Sequence, residues 1–167
     1  KKLIILKIPK QKKQKFELRS TIFGNLFQNI DIRPINKGFL KLVSNKKSNT
    51  KIIEDIIFSL KVVKHLKSNA IVLSYNKQTL GLGHGQTNRI DALKHAIRNK
   101  NLNFKNKKFV CVSDGFFPFT DGINLLKNNF CFHIAQPSGS INDKKIIDFA
   151  KLNNLSLYFI KHRLFKH

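Results

Sequence analysis

The chain has 167 residues, of which 41% are hydrophobic, and it carries a formal net charge of +23. This length fits a single domain or a piece of a larger protein, with enough apolar residues for a sizeable core. No apolar run is long enough to span a membrane, and the apolar segment near Lys1 is too short and too interrupted by Lys7 for a signal peptide.

Two further features of the composition bear on the type of protein. Cys111 and Cys131 lie in apolar runs and have no CxxC partner, so we expect buried free thiols, no zinc site and a reducing, cytoplasmic compartment. The chain contains no methionine, even at position 1. We therefore expect a fragment or a processed chain.

The positive charge raises the possibility of nucleic-acid binding. However, only five of the 32 basic residues are arginines, and arginine is the residue that contacts phosphates and bases in a bidentate manner. Lys, Asn, Ile and Phe are abundant together, which is typical of A/T-rich coding. Nucleic acid is therefore an unlikely partner by composition, and a basic nucleic-acid- or ribosome-associated module is kept as the alternative function.

The hydrophobic pattern changes along the chain. Lys2–Ile8 reads as a strand, residues 16–27 have no clean period, and residues 32–43 predict one or two strands with a turn at Gly38. From Lys51 onward amphipathic helices and apolar strands follow one another, which predicts an α/β sheet with helices on both faces. The predicted helices begin near residues 51, 89, 122 and 141, and the predicted strands cover 70–75, 79–83, 109–112, 130–135 and 155–160.

The stretch Ser113–Gly122 stands out because it follows a buried strand and precedes a helix, where open α/β sheets place their ligands. It contains three Phe around one Pro, with an Asp on either side. A planar heterocycle stacked on Phe and held by a carboxylate would use this combination, and an aromatic core plug under a tight turn is the alternative.

Other polar clusters also lie at predicted strand ends. Gly81, Gly83 and Gly85 could let the backbone approach a ligand, or could simply form a turn between strand and helix, because their spacing matches no nucleotide-binding fingerprint. Arg89 is more informative, since an arginine among many lysines suggests bidentate recognition. Asn69 could cap a helix or donate its amide to a carbonyl oxygen.

Five motifs follow one another along the chain: Val62–Val72, Gly81–Arg89, Ser113–Gly122, Gln136–Ser140 and Arg163–His167. In this order they resemble the C-terminal part of the AICAR transformylase family, the formyltransferase half of a bifunctional purine-biosynthesis protein that also carries IMP cyclohydrolase. The match is collinear from about Lys51 to His167 and looser toward Lys1. The resemblance implies an approach segment or linker over residues 1–50 and, over 51–167, the second cytidine-deaminase-like subdomain, a layered α/β fold without zinc.

The resemblance also implies an activity. The family transfers a formyl group from 10-formyltetrahydrofolate to AICAR, giving FAICAR in de novo purine biosynthesis, and works as a homodimer. By motif, Asn69, Arg89, Phe116 and Arg163 correspond to AICAR-binding positions. Phe116 suits stacking on the imidazole, Asn69 and Arg89 suit the carboxamide or the formyl oxygen, with Asn69 as an oxyanion stabiliser, and Arg163 suits the phosphate.

A second set of positions corresponds to the family's folate contacts. These are Ile90, Asp121, Ser140 and Ile141, with Asp121 suited to the donor edge of the pterin. The terminal His167 is expected near the site, with a structural or potassium-related role. Phe117 and Phe119 are expected to serve packing.

The family's catalytic Lys-His pair and its Pro-Cys-Gly motif do not occur in this sequence, and Lys64-His65 stands in a different motif. The Arg-Tyr-Gly segment that helps to bind AICAR and the cyclohydrolase domain are missing too. We therefore expect the chain to supply binding residues but to be inactive alone. A degraded structural remnant is the third hypothesis, beside the enzyme fragment and the basic module.

Overall fold

The computed structural model of this protein describes residues 4, 6, 7, 9 and 15–166. The chain divides into two compact units, residues 1–34 and residues 35–167. The strand predicted over Lys2–Ile8 lies mostly outside the described residues, and His167 lies wholly outside them.

The first unit contains an antiparallel hairpin of β1 (Phe16–Thr21) and β2 (Gly24–Asn29). Phe16 and Phe27 stack across it with ring centroids 4.9 Å apart. Every residue of β2 is exposed, so neither face is buried. A strand that buries neither face has no reason to alternate apolar and polar residues, which explains why the sequence shows no clean period there.

The second unit holds the remaining elements. Its strands are β3 (Leu40–Leu42), β4 (Ile71–Tyr75), β5 (Gln78–Gly83), β6 (Phe109–Ser113), β7 (Cys131–Pro137) and β8 (Ser156–Ile160). Its helices are α1 (Thr50–Val63), α2 (Arg89–Phe104), α3 (Thr120–Asn128) and α4 (Asp143–Leu152). A 3₁₀ turn, Lys37–Phe39, precedes β3.

The six strands form one mixed sheet in the order β3-β8-β7-β6-β4-β5. The central strands β6, β7 and β8 are parallel, while β4, β5 and β3 pair with their neighbours in antiparallel fashion. Helices connect the parallel strands, as such crossovers require.

Apolar residues cover both faces of this sheet. One face packs under α1 through Ile56, Leu60 and Val63, and the other packs under α2, α3 and α4 through residues such as Leu93, Ile123 and Ile146. The predicted α/β class, a mixed sheet with helices on both faces, is confirmed. This architecture is consistent with a cytidine-deaminase-like fold.

Gly81 and Gly83 serve the packing of α2 against β5. A Cβ atom on Gly81 would overlap the Ala96 carbonyl oxygen, and one on Gly83 would overlap the Ala92 carbonyl oxygen. The structure therefore gives Gly81 and Gly83 a packing role within β5, which is neither the ligand approach nor the turn considered from the sequence, because the backbone that approaches them closely belongs to a helix.

The prediction of one or two strands with a turn at Gly38 over residues 32–43 is confirmed, because the 3₁₀ turn and one short strand, β3, lie there. The Asn36 side chain accepts a hydrogen bond from Gly38 N within this turn. Another local prediction differs from the structure. Helix α4 begins at Asp143 rather than at residue 141, since Ser140 Oγ accepts from Asn142 N and forms a turn before the helix. Strand β3 pairs with β8. The boundary at Lys51, which the family resemblance implies for the second subdomain, stays a prediction.

Among the described residues no helix combines the length and the apolar character that crossing a membrane requires. In the same part of the chain, no three His, Cys, Asp or Glu side chains are grouped so that they could hold a metal ion.

Candidate functional site

Three elements of the sheet meet at one edge. Ile71, the first residue of β4, pairs with Gly83 at the end of β5 and with Ser113 at the end of β6. The loops that precede β4, follow β5 and follow β6 therefore lie side by side. This places Asn69, Arg89 and the stretch after Ser113 in one region, as their positions at predicted strand ends indicated.

Arg89 is the centre of this region. Its Nη1 donates to Asp114 Oδ1 at 2.5 Å and to Ser113 Oγ at 2.7 Å, and its Nη2 donates to Asn69 Oδ1 at 2.8 Å. Only 9% of the Arg89 side chain is exposed, and the Asp114 side chain is fully buried. The guanidinium is thus held in one orientation by charge-assisted hydrogen bonds.

Asn69 is held from the opposite side. Its Nδ2 donates to the backbone carbonyls of Gln86 at 3.0 Å and Thr87 at 3.2 Å, and the peptide bond between Ser68 and Asn69 is cis. The Asn69 side chain therefore bridges the loop after β5 and the guanidinium of Arg89. It does not cap a helix, which was one of the two roles considered.

The chain between β8 and residue 166 lies against the same loops. Leu164 N donates to Asp114 O at 3.0 Å, and Lys166 and Ser68 exchange two bonds, Ser68 N to Lys166 O at 2.9 Å and Lys166 N to Ser68 Oγ at 3.0 Å. These bonds fix the backbone on both sides of Arg163 and Phe165. Arg163 is thereby brought to the site although it is exposed.

The guanidinium of Arg163 lies close to two aromatic rings. Its Cζ is 5.1 Å from the ring centroid of Phe116 and 5.7 Å from that of Phe165. Phe116 is half-buried, so part of its ring is accessible. An aromatic face beside a cation suits a planar heterocycle that carries a negative group.

The neighbouring phenylalanines differ from each other. Phe117 is 1% exposed and belongs to the core, which confirms its packing role, and its N–H donates to Gln136 Oε1 at 3.2 Å. Phe119 is 63% exposed, so the packing role predicted for it is wrong. The reason is its position immediately before α3, where the chain has already left the core.

A shallow cleft of about 130 Å³ lies between the beginnings of α3 and α4. It is lined by Phe119, Thr120, Asn142, Lys145 and Ile146. Asn142 Nδ2 donates to Pro118 O at 2.8 Å and so ties the two walls together.

Three of the residues predicted to contact folate are neighbours in sequence of the residues that line this cleft. Asp121 is exposed, Ser140 is half-buried, and Ile141 is fully exposed at 104%. Ile90 is half-buried and packs against the core at the start of α2, next to Arg89. The prediction for His167 falls outside the described residues.

The two cysteines lie in the core. Both are free and buried, as predicted. Burial raises the pKa of Cys131 to about 12 and the pKa of Cys111 well above its ordinary value, so both thiols stay protonated. A protonated thiol is a poor nucleophile, and neither cysteine is suited to covalent chemistry.

Sequence reasoning missed the partners of Arg89. Ser113 and Asp114 are fully buried, and Ser113 Oγ also donates to Gly115 O at 2.6 Å. Asp114 had been considered as a carboxylate that holds a ligand. The sequence signal for this ion pair was the position of Asp114 directly after a buried strand, where an ionised carboxylate needs a cationic partner.

The chain was compared with known proteins. The family model described as "AICARFT/IMPCHase bienzyme" matches residues 1–99. The chain is 45% identical over 167 residues to the bifunctional purine biosynthesis protein PurH of Buchnera aphidicola subsp. Schizaphis graminum, a match that covers 99% of the chain and 32% of the relative.

Proteins of other organisms are also similar to the chain. The PurH proteins of Caldicellulosiruptor saccharolyticus and Aquifex aeolicus are 41% and 38% identical, over 91% of the chain and 29% and 30% of their own lengths. The chain thus spans about a third of the length of the curated relatives it matches. Because the family model matches more than half of the chain and these relatives cover nearly all of it, the chain belongs to the AICARFT/IMPCHase bienzyme family.

Proposed function

We propose that this chain is the part of a bifunctional purine-biosynthesis enzyme that binds AICAR and the formyl donor for formyl transfer. The observation that carries the proposal is the convergence of Asn69, Arg89, Phe116 and Arg163 on one edge of the sheet. These are the four positions that the family resemblance assigns to AICAR.

The chemistry of each position supports this assignment. The ring of Phe116 offers a stacking surface for the imidazole, and Arg163 beside it offers a cation for the phosphate. The Arg89 guanidinium, held by Asn69 Oδ1, offers N–H capacity at Nη2 for a carboxamide or for the oxygen of the transferring formyl group. Asn69 Nδ2 donates to two backbone carbonyls and would exchange one of them for that oxygen. Asn69 is the residue we propose for oxyanion stabilisation.

The formyl donor is proposed to lie along the cleft between α3 and α4. The exposed side chains of Phe119 and Ile141 provide apolar contact area. Among the described residues, the Asp121 carboxylate accepts a hydrogen bond only from the N–H of the neighbouring Gly122, at 2.8 Å. An exposed carboxylate with spare acceptor capacity suits the donor edge of a pterin ring. Ser140 and Ile90 are the further folate contacts in this proposal.

In this proposal the general base comes from sequence outside the chain, and the working enzyme is a cytoplasmic homodimer. A potassium ion near His167 stays a prediction. The chain then provides binding and orientation, which by themselves contribute much of the rate enhancement of a two-substrate transfer.

A chimera tests the proposal. The third of the Buchnera PurH protein that aligns with this chain is replaced by the chain, and formyl transfer to AICAR and cyclisation of FAICAR are assayed separately. We expect both activities in the chimera. Asn69→Ala should lower formyl transfer by about 100-fold and leave cyclisation unchanged, since loss of one oxyanion donor has an effect of this size.

The matched control is Asn103→Ala, at an exposed position of α2 away from the site, which should change neither activity. Loss of cyclisation alone in the Asn69→Ala chimera would assign the chain to the other activity. A chimera without formyl transfer, together with tight and salt-sensitive RNA binding by the chain itself, would support the basic-module alternative instead.

A further inference from the structure

Gln136 lies beside the segment that carries Phe116. It stands at the carboxyl end of β7, one residue after Ala135, which pairs with Val112 in the neighbouring parallel strand β6. The chain that follows β6 leads directly to Phe116. None of the AICAR or folate positions assigned above includes Gln136.

The amide of Gln136 is fully buried and only partly satisfied. Its exposure is 0%, and its Oε1 accepts a hydrogen bond from Phe117 N at 3.2 Å. Its Nε2 has no hydrogen-bond partner among the described residues. Because Phe117 N is a donor, the oxygen of the amide must face it, and this fixes the orientation of the amide.

This arrangement contributes little to the stability of the core. An unpaired buried N–H group costs at least as much free energy as one neutral hydrogen bond contributes. The bond from Phe117 N is thus offset by the unpaired Nε2 of Gln136. What the amide does provide is a fixed position for the backbone at Phe117.

Phe117 N is one of two fixed points around Phe116. On the other side, Ser113 Oγ donates to Gly115 O at 2.6 Å. Phe117 is 1% exposed and packed in the core, whereas Phe116 is half-buried, with Arg163 Cζ 5.1 Å from its ring centroid. The backbone is thereby held on both sides of Phe116, and the place of its ring depends on these two bonds.

We propose that Gln136 is a positioning residue for the substrate: by holding Phe117 N, it fixes the Phe116 ring in the place where this ring stacks on the imidazole of AICAR. The inference rests on the proposed function, in which Phe116 provides the stacking surface. Gln136 acts through Phe116 and not by contact with the substrate. Because stacking depends on the offset and distance between two rings, a small shift of Phe116 weakens binding.

The test uses a matched pair of substitutions in the chimeric enzyme. Gln136→Met keeps the length and the unbranched shape of the side chain but removes the acceptor for Phe117 N, whereas Gln136→Glu keeps an acceptor there. Calorimetry gives the dissociation constant for AICAR, and the formyl-transfer assay gives KM for AICAR and for 10-formyltetrahydrofolate. Gln136→Leu replaces the methionine variant if that variant does not fold.

Gln136→Met should raise Kd and KM for AICAR about 10-fold and leave KM for 10-formyltetrahydrofolate unchanged. Gln136→Glu should keep both AICAR constants within about threefold of those of the unmodified chimera, because Phe117 N retains a partner. Gln78→Met, at an exposed position at the start of β5, is the matched control and should change none of these constants.

A double-mutant cycle with Phe116→Ala gives the decisive readout. In the Phe116→Ala background, Gln136→Met should have no further effect on the Kd for AICAR, because the ring that Gln136 positions is absent. A residue that merely supports the fold would raise KM for both substrates, or would act equally with and without the Phe116 ring.

Two results would overturn the inference. Unchanged AICAR constants in Gln136→Met would show that the bond to Phe117 N has no role in binding. A loss of AICAR affinity that persists in full in the Phe116→Ala background would show that Gln136 does not act through the Phe116 ring. Failure of the proposed function itself has a different signature, because the unmodified chimera would then bind no AICAR and transfer no formyl group.

Discussion

His133 makes the stability of this protein dependent on pH. It lies on β7, and its Nδ1 is 2.7 Å from Ser48 Oγ. Burial, and to a lesser degree the charge of Lys46, lower the pKa of His133 from 6.5 to about 4. The folded protein therefore holds this imidazole neutral at pH values where the unfolded chain already binds a proton.

The sign and size of the effect follow from this difference in pKa. Below pH 6.5 the unfolded state takes up a proton that the folded state does not, so stability is fully present above pH 6.5 and is lost as the pH falls toward about 4. One pKa unit corresponds to about 1.4 kcal/mol, so this group should remove about 2 kcal/mol between pH 7 and pH 4.5.

Urea denaturation at these two pH values measures the loss. Other groups also titrate in this range, so the informative quantity is the difference between the wild type and His133→Gln, whose amide stays neutral and can still hydrogen-bond with Ser48. The wild type should lose about 2 kcal/mol more than the variant. Equal losses in the two proteins would refute the reasoning, because His133 would then have the same pKa in both states.

Two further predictions concern the packing of the second unit. Gly83→Ala should lower the free energy of unfolding by about 1–3 kcal/mol in urea denaturation, because the added methyl group overlaps the Ala92 carbonyl, and an unchanged midpoint would contradict the packing role of this glycine. Asp55→Ala should cost about 2 kcal/mol, because the buried carboxylate accepts the N–H groups of Asn76 at 2.8 Å and Lys77 at 2.7 Å. Hydrogen exchange at these two amides should accelerate in the variant, and unchanged protection would argue against the bonds.

The elements of the second unit could be predicted where burial imposes a pattern. Strands such as Phe109–Ser113 are buried on both faces and therefore appear as continuous apolar runs. Helix α1 buries one side, which produces the three- and four-residue spacing of Ile56, Leu60 and Val63. Helix α2 begins after the N-cap Asn88, whose side chain accepts from Asp91 N at 2.8 Å.

Prediction failed where burial imposes no pattern. The β1–β2 hairpin exposes apolar side chains, among them Phe23 at 94%, so its strands carry no alternation. Strand β3 has only three residues, and its place in the sheet depends on pairing with β8, more than a hundred residues later in the chain. Neither feature can be read from a local window of sequence.

Sequence reasoning selected residues that the structure brings together, but it did not predict which of them form hydrogen bonds with each other. Arg89 stood out as a rare arginine, and Asp114 as the acidic end of an aromatic motif. Nothing in either segment of sequence indicates that these two residues are in contact. They meet because Ile71 pairs with both Gly83 and Ser113, and because β4 is antiparallel to β5 and β6. The rule that ligands lie at the carboxyl ends of strands therefore predicts the positions of Arg89 and Asp114. Asn69 is different, because it precedes β4 and lies at the amino end of that strand. An antiparallel strand within a mixed sheet thus brings a residue from before the strand into the same site, and sequence reasoning for such folds must consider the residues on both sides of that strand.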